Sequence, residues 1–147
     1  MYKHILIPTD GSAVAAKAVQ AGIDFAREAR ARVTLFTAVP EYQLPSQSQV
    51  MSGEFEMPAD HERKAQEKAR RVLDPAAQRA RTCGIECDTD YAQNNHPWRA
   101  IIDAANRHGC DAIFMGSHGR RGVAGLWYGS ETHEVLTHSS IPTMVYR

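Results

Sequence analysis

Little in this chain announces a function, and each thing it lacks excludes something. It lacks a charge of one sign: 17 lysines and arginines balance 17 aspartates and glutamates. No global electrostatic case remains for DNA, RNA or an anionic membrane surface, so no nucleic-acid or membrane partner is expected. No apolar run approaches the roughly 20 residues of a membrane span. The opening MYKHILIPTDGS has a short apolar run without a charged leader or cleavage site, so no signal peptide is expected. Cysteine is confined to Cys83, Cys87 and Cys110. An odd count without a secretory leader predicts reduced thiols and a cytoplasmic location. Cys83 and Cys87 resemble half of a metal site, but no second pair exists, and free thiols are the better reading. The Walker A loop, the G-x-G-x-x-G dinucleotide turn and the G-x-S-x-G elbow are also missing. No paired carboxylates and no Ser-His-Asp spacing stand out. A binding module is therefore favoured over an enzyme, with slow hydrolysis of a bound triphosphate as the most that is expected.

What is there is an alternation of elements. The 147 residues suit a single domain, 1–147, with one sizeable core. Residues 2–8, YKHILIP, read as a buried strand. Ser12 can cap a helix that continues through Ala29, with Ala15, Ala18, Val19, Gly22, Phe25 and Ala29 at helical spacing. Residues 32–39 are a second strand. Residues 41–58 carry polar residues and prolines without a period, and are expected to be a long flexible connection. Asp60 is the expected cap of a second helix ending at Gly84, with a kink or break near Asp74 caused by Pro75. Ile85, Cys87, Thr89 and Tyr91 alternate as in a half-exposed edge strand. Pro97 suits the first position of a third helix, followed by Gly109. DAIFMG is a fourth, buried strand, a short helix spans about 130–137, and PTMVYR is a fifth strand.

Strands separated by helices predict a parallel sheet with helices on both faces. In such sheets ligands bind beyond the carboxyl ends of the strands, where the winding reverses. Two strand ends here carry unusual chemistry: PTDGS after the first, and GSHGRRGVAGLWYGSET after the fourth. In the second, Gly116, Gly119, Gly129 and Ser130 form G-x2-G-x9-G-S. Glycines admit close approach of backbone amides to an anion. Ser130 and Thr132 lie at a helix start, where free amides and the helix dipole attract phosphate and hydroxyls add donors. The plainer reading of a lone glycine cluster is a surface turn with an ordinary N-cap.

The whole chain resembles the universal stress protein family, of the UspA type that carries the ATP-binding motif. HILIPTDGS, DAIFMGSHGRRG and GSETHEVLTHSSIPTMVYR match that family's landmarks in order. The resemblance implies an open five-stranded parallel α/β sheet, Rossmann-like (adenine nucleotide alpha hydrolase-like), with strand order 3-2-1-4-5. It implies a regulatory module in the stress response that binds ATP, with ADP and AMP as alternatives and Mg2+ as a companion of the nucleotide. Gly119, Gly129, Ser130 and Thr132 would face phosphates and Gly116 the ribose. Pro8, Thr9 and Asp10 would lie along the adenosine, and Val39 would meet adenine through its backbone. Met115 and His118 belong to the same implied site, as does Glu131.

The chain departs from the family at two places. Glu131 stands where valine is common. A carboxylate there would repel a triphosphate unless it turned outward or reached magnesium. On sequence alone, then, Glu131→Val is expected to strengthen ATP binding without magnesium, and a vestigial site in a dimeric interaction protein is the alternative function. Asn95 replaces a glycine before the third helix, and asparagine tolerates left-handed geometry.

Other polar residues have two readings each. Asp10 is a general base, or more simply a carboxylate bonding a ribose, an adenine or local amides. His118 donates to an anion or faces solvent. Arg120 and Arg121 clamp phosphate or are solvated loop charges. His133 and His138 are five apart, which misses the helical metal pair. Trp127 and Tyr128 are expected to pack under the loop or at a subunit contact. The final strand, Pro142 to Tyr146, would lie at a sheet edge, and the resemblance implies a homodimer formed by pairing it with its own copy.

Overall fold

The computed structural model describes residues 1–117 and 129–147. The elements run β1 (His4–Pro8), α1 (Ala13–Ala29), β2 (Arg32–Val39), α2 (Gln47–Ser52), α3 (Pro58–Thr82), β3 (Cys87–Gln93), α4 (Pro97–Arg107), β4 (Ala112–Gly116), α5 (Gly129–His138) and β5 (Thr143–Tyr146). The five strands pair in parallel in the order β3-β2-β1-β4-β5, as expected.

Period-two alternation sorts the core into two layers. Ile5, Ile7, Val33, Leu35 and Phe114 meet α1 and α3 on one face. Leu6, Phe36, Ile113 and Met115 meet α4 and α5 on the other. With both faces covered, β1, β2 and β4 read as continuous apolar runs. β3 is an edge strand: Ile85, Cys87 and Tyr91 pack toward α3, while Thr89 on the same alternation is exposed.

Local signals hold where the chemistry is local. The Ser12 hydroxyl accepts the Ala15 amide at 3.1 Å and caps α1. Pro97 opens α4, and Gly109 follows it with φ +65°.

Three expectations need correction. The N-cap of α3 is Met57, with Pro58 at the first position; Asp60 sits inside the first turn, where its charge complements the dipole. Pro75 does not break the helix, which runs for 25 residues in all, from Pro58 to Thr82. Leu73, Ala76, Ala77 and Ala80 are buried against the sheet and hold both sides of Pro75 in register. Pro75 itself is exposed, so water can reach the carbonyl it leaves unpaired. The connection between β2 and α3 contains α2, whose Ser46 and Gln49 form a reciprocal capping box and whose C-cap Gly53 is left-handed. Asn95 does not adopt positive φ. Its side chain instead bonds Glu41, accepting from that residue's amide at 3.0 Å.

The base of that connection is tied by His61. Its Nδ1 lies 3.0 Å from Glu56 Oε2, and its Nε2 lies 3.0 Å from the Pro40 carbonyl. Two acceptors require two ring protons, and the Glu56 carboxylate accordingly raises the His61 pKa.

All three cysteines are free thiols. Burial pushes Cys87 and Cys110 up to about 11, which makes both poor nucleophiles.

His4 is 6% exposed, and its Nε2 pairs with Thr34 Oγ1 at 2.7 Å. Its Nδ1 has no partner among the described residues. Burial, then Arg32 and His108, lower its pKa below the ordinary 6.5, against weaker opposing pulls from Asp111 and Asp88. The unfolded chain therefore binds a proton that the folded chain refuses. The resulting stability is present above pH 6.5 and is lost as pH falls from that value through the lower pKa of the folded state. Urea midpoints are expected to drop as pH falls from 7 to 5. In His4→Gln that slope should flatten, and an unchanged slope would assign the acid sensitivity to other groups.

Candidate functional site

The site forms at the carboxyl ends of β1 and β4, where the winding of the sheet reverses. After β1 the chain turns sharply through Thr9-Asp10-Gly11-Ser12. The Gly11 amide donates to Thr9 Oγ1 at 3.2 Å, and the Ser12 amide donates to Asp10 Oδ1 at 2.9 Å. These i to i+2 bonds are the turn chemistry of Thr and Asp. Gly11 has φ +79°, and a Cβ there would come within 2.9 Å of Val72 on α3, so glycine is required on both counts. Asp10 thus bonds a local amide, one of the roles expected for it.

Pro8, Thr9 and Asp10 share a small cleft with Met115 and Gly116 of β4 and with Ser12, Ala15 and Ala18 of α1. Five predicted site residues meet there. Gly116 lets β4 approach α1 closely: a Cβ on it would stand 3.0 Å from that of Ala18. A second cleft of about 320 Å³ opens beside Thr9, Asp10 and Gly11 toward Arg71, Val72, Pro75 and Arg79 of α3. Neither the alanines of α1 nor this wall of α3 was legible in the motifs. Val39 ends β2 on the neighbouring strand, buried, with its carbonyl accepting the Asn94 amide at 2.8 Å.

The chain leaves β4 at Ser117 and α5 begins beside it. A Cβ on Gly129 would lie 3.2 Å from the Ser117 carbonyl. Gly129 and Ser130 are exposed at the first turn of α5. Thr132 is buried, and its hydroxyl donates to the Gly116 carbonyl at 2.8 Å. That bond ties the start of α5 to the end of β4. His118 and Gly119 lie outside the described residues, as do Arg120, Arg121, Trp127 and Tyr128. His133 is exposed, whereas His138 stacks on Trp98.

Glu131 is half-buried and turns toward α4. Its Oε2 accepts the Trp98 amide at 2.9 Å. Trp98 is the second residue of α4, whose N-cap His96 supplies no side-chain bond. Nothing in the local sequence of either helix signals this contact, because it spans 33 residues.

The arrangement can do what helix starts and strand ends do together. It offers an anion the first-turn amides of α5, which have no partner within the helix, and offers a flat, polar-edged ligand the β1–β4 crevice. No group of three or more His, Cys, Asp or Glu placed to hold a metal occurs among the described residues.

The universal stress protein family model matches residues 1–147. Universal stress protein YxiE of Bacillus subtilis is 26% identical over the full length of both chains. The solved structure of protein MJ0577, of Methanocaldococcus jannaschii, superposes with a TM-score of 0.76 at 26% identity, covering 99% of this chain and 95% of that one. The universal stress protein of Archaeoglobus fulgidus in complex with dAMP superposes with a TM-score of 0.67 at 18% identity, covering 99% and 98%. Other structures of this fold hold cAMP and AMP. A match along its whole length shows that the chain belongs to the universal stress protein family.

Proposed function

We propose that this protein binds ATP or a related adenine nucleotide in the β1–β4 crevice and acts as a single-domain regulatory module of the cytoplasmic stress response. One observation carries the reading: the Pro8–Thr9–Asp10 turn, the Met115–Gly116 strand end and the Gly129–Ser130 helix start converge at the switch point of the sheet. The adenosine would lie along Pro8, Thr9 and Asp10, with the Val39 backbone toward the base. The phosphates would meet Gly129 and Ser130, with His118 and Gly119 completing the cradle. Thr132, whose hydroxyl is engaged by Gly116, would shape the site from beneath. Relatives that hold cAMP, dAMP and AMP support the adenine class. Magnesium would arrive with the phosphates.

Isothermal titration of nucleotide-stripped protein with ATP, ADP and AMP, with and without magnesium, tests the reading. Saturable heat with at least one of them is expected. No binding at millimolar concentrations would leave the interaction-protein alternative, and sustained phosphate release would identify a slow ATPase.

The same reading includes a homodimer. β5 is a sheet edge, and its Val145 and Tyr146 are 36% and 39% exposed. An apolar edge with unpaired backbone groups needs cover, and antiparallel pairing of residues 142–146 with a second copy supplies it while closing the assembly at two. Light scattering at micromolar concentration is expected to give twice the 16.3 kDa of one chain. A mass of 16.3 kDa would exclude the dimer.

A further inference from the structure

We infer that Glu131 is a positioning residue: through the Trp98 amide it fixes where the start of α5 stands, and its partner is α4 rather than a phosphate or a metal. The inference rests on the adenine-nucleotide reading above. It also reverses the sign that the sequence gives to Glu131→Val.

The contact satisfies a specific need. The first amides of a helix have no partner within it, and His96 caps none of them with its side chain. The Glu131 carboxylate accepts one of them at 2.9 Å and places a negative charge at the positive end of α4. The same residue of α4 also holds the far end of α5. The His138 ring stacks on the Trp98 ring with centroids 4.6 Å apart and planes 21° apart. Arg99 lies over the Trp98 ring, 5.0 Å from its centroid, and Glu134 bonds His138 Nε2 at 3.1 Å. Glu131 and His138 are seven residues apart and therefore on one stripe of α5. Trp98 grips that stripe at both ends, by its amide and by its ring.

The geometry leaves α5 little freedom. Thr132 is bonded to the end of β4, and its neighbour Glu131 is bonded to the start of α4. Gly129 and Ser130, the residues assigned to phosphate, immediately precede this pair. If the Glu131 bond is lost, α5 can pivot about Thr132 and carry its free amides out of line. Loss of a hydrogen bond to a charged group is enough to cost about tenfold in affinity if binding depends on that alignment.

The test uses the full chain carrying Trp127→Phe, so that Trp98 is its one tryptophan, and adds Glu131→Gln or Glu131→Val. A glutamine oxygen can still accept the Trp98 amide, whereas valine cannot. In EDTA, Glu131→Val is expected to lose about tenfold in affinity for AMP, and Glu131→Gln to stay within about threefold. Trp98 emission without nucleotide should change in the valine variant and match the parent in the glutamine variant. Equal or tighter binding by Glu131→Val would overturn the inference, because the carboxylate would then be repelling the ligand. A loss seen with magnesium but not in EDTA would also overturn it, in favour of a metal ligand. If the parent binds no adenine nucleotide, the functional reading fails separately. Emission altered in Glu131→Val alone would still support the latch, and identical emission in all three proteins would sink it.

Discussion

Gly129→Val is expected to remove adenine-nucleotide binding while the sheet and its helices stay folded. A Cβ at this position would already stand 3.2 Å from the Ser117 carbonyl, tighter than ordinary contact. Valine adds two methyl groups at the first turn of α5, where the free amides are proposed to meet phosphate. The branched side chain has no room toward Ser117 and must cover those amides or push the turn outward. Either outcome removes hydrogen bonds to a charged group, and the expected loss is about 10- to 100-fold in affinity. Gly129 is exposed and at a helix start, so the damage stays local. Circular dichroism and the thermal midpoint should remain near those of the parent, and Gly129→Ala should fall between the two in titration. An unchanged ATP affinity in the valine variant would remove the phosphate role of this turn.

The largest expected effect on stability lies elsewhere, at Gly22 in the middle of α1. Ile7 Cδ1 would be 2.8 Å from a Cβ placed there, and Phe114 Cδ1 would be 3.0 Å away. Here α1 rests directly on β1 and β4. Both neighbours are confined by the core: Ile7 is wholly buried and Phe114 is 8% exposed. Gly22→Leu must therefore lift α1 off the sheet or drive buried side chains from their rotamers. A loss of about 3 kcal/mol or more is expected, at the upper end for overpacked cores. Gly22→Ala is the instructive control, since alanine regains about 1 kcal/mol of helix propensity against the same clash. Urea unfolding measures both. A leucine variant within about 0.5 kcal/mol of the parent, the range of ordinary surface substitutions, would mean that α1 can slide without cost. Because α1 begins at the Asp10–Ser12 turn, a displaced α1 should weaken nucleotide binding as well.

The sequence by itself determined whatever rests on neighbouring residues. Ser12 caps α1 because, with its own backbone extended, its hydroxyl reaches the amide three residues on. Pro97 starts α4 because proline gives up nothing at a first helical position. Arg32–Val39 is a strand because a β-branched apolar run between turns has few other places to go. From such elements in alternation the parallel sheet follows, and the resemblance supplied its strand order. Even α2 was written locally, in the Ser46–Gln49 capping box inside a stretch read as irregular. The tertiary structure alone decided the rest. Pro75 stays within a helix because the sheet grips the alanines and leucine around it. Gly22 is a contact point and not merely a residue on the apolar face, because α1 crosses Ile7 and Phe114 there. Thr132 looks inward, its hydroxyl bonded to the Gly116 carbonyl 16 residues earlier in the chain. Glu131, which beside the phosphate motif reads as a charge in the wrong place, closes the open end of a helix 33 residues earlier in the chain. Caps, turns and periodicity act over one to four residues, so they can be read from the chain directly. A partner brought close by packing depends on every element between, and no local pattern records it.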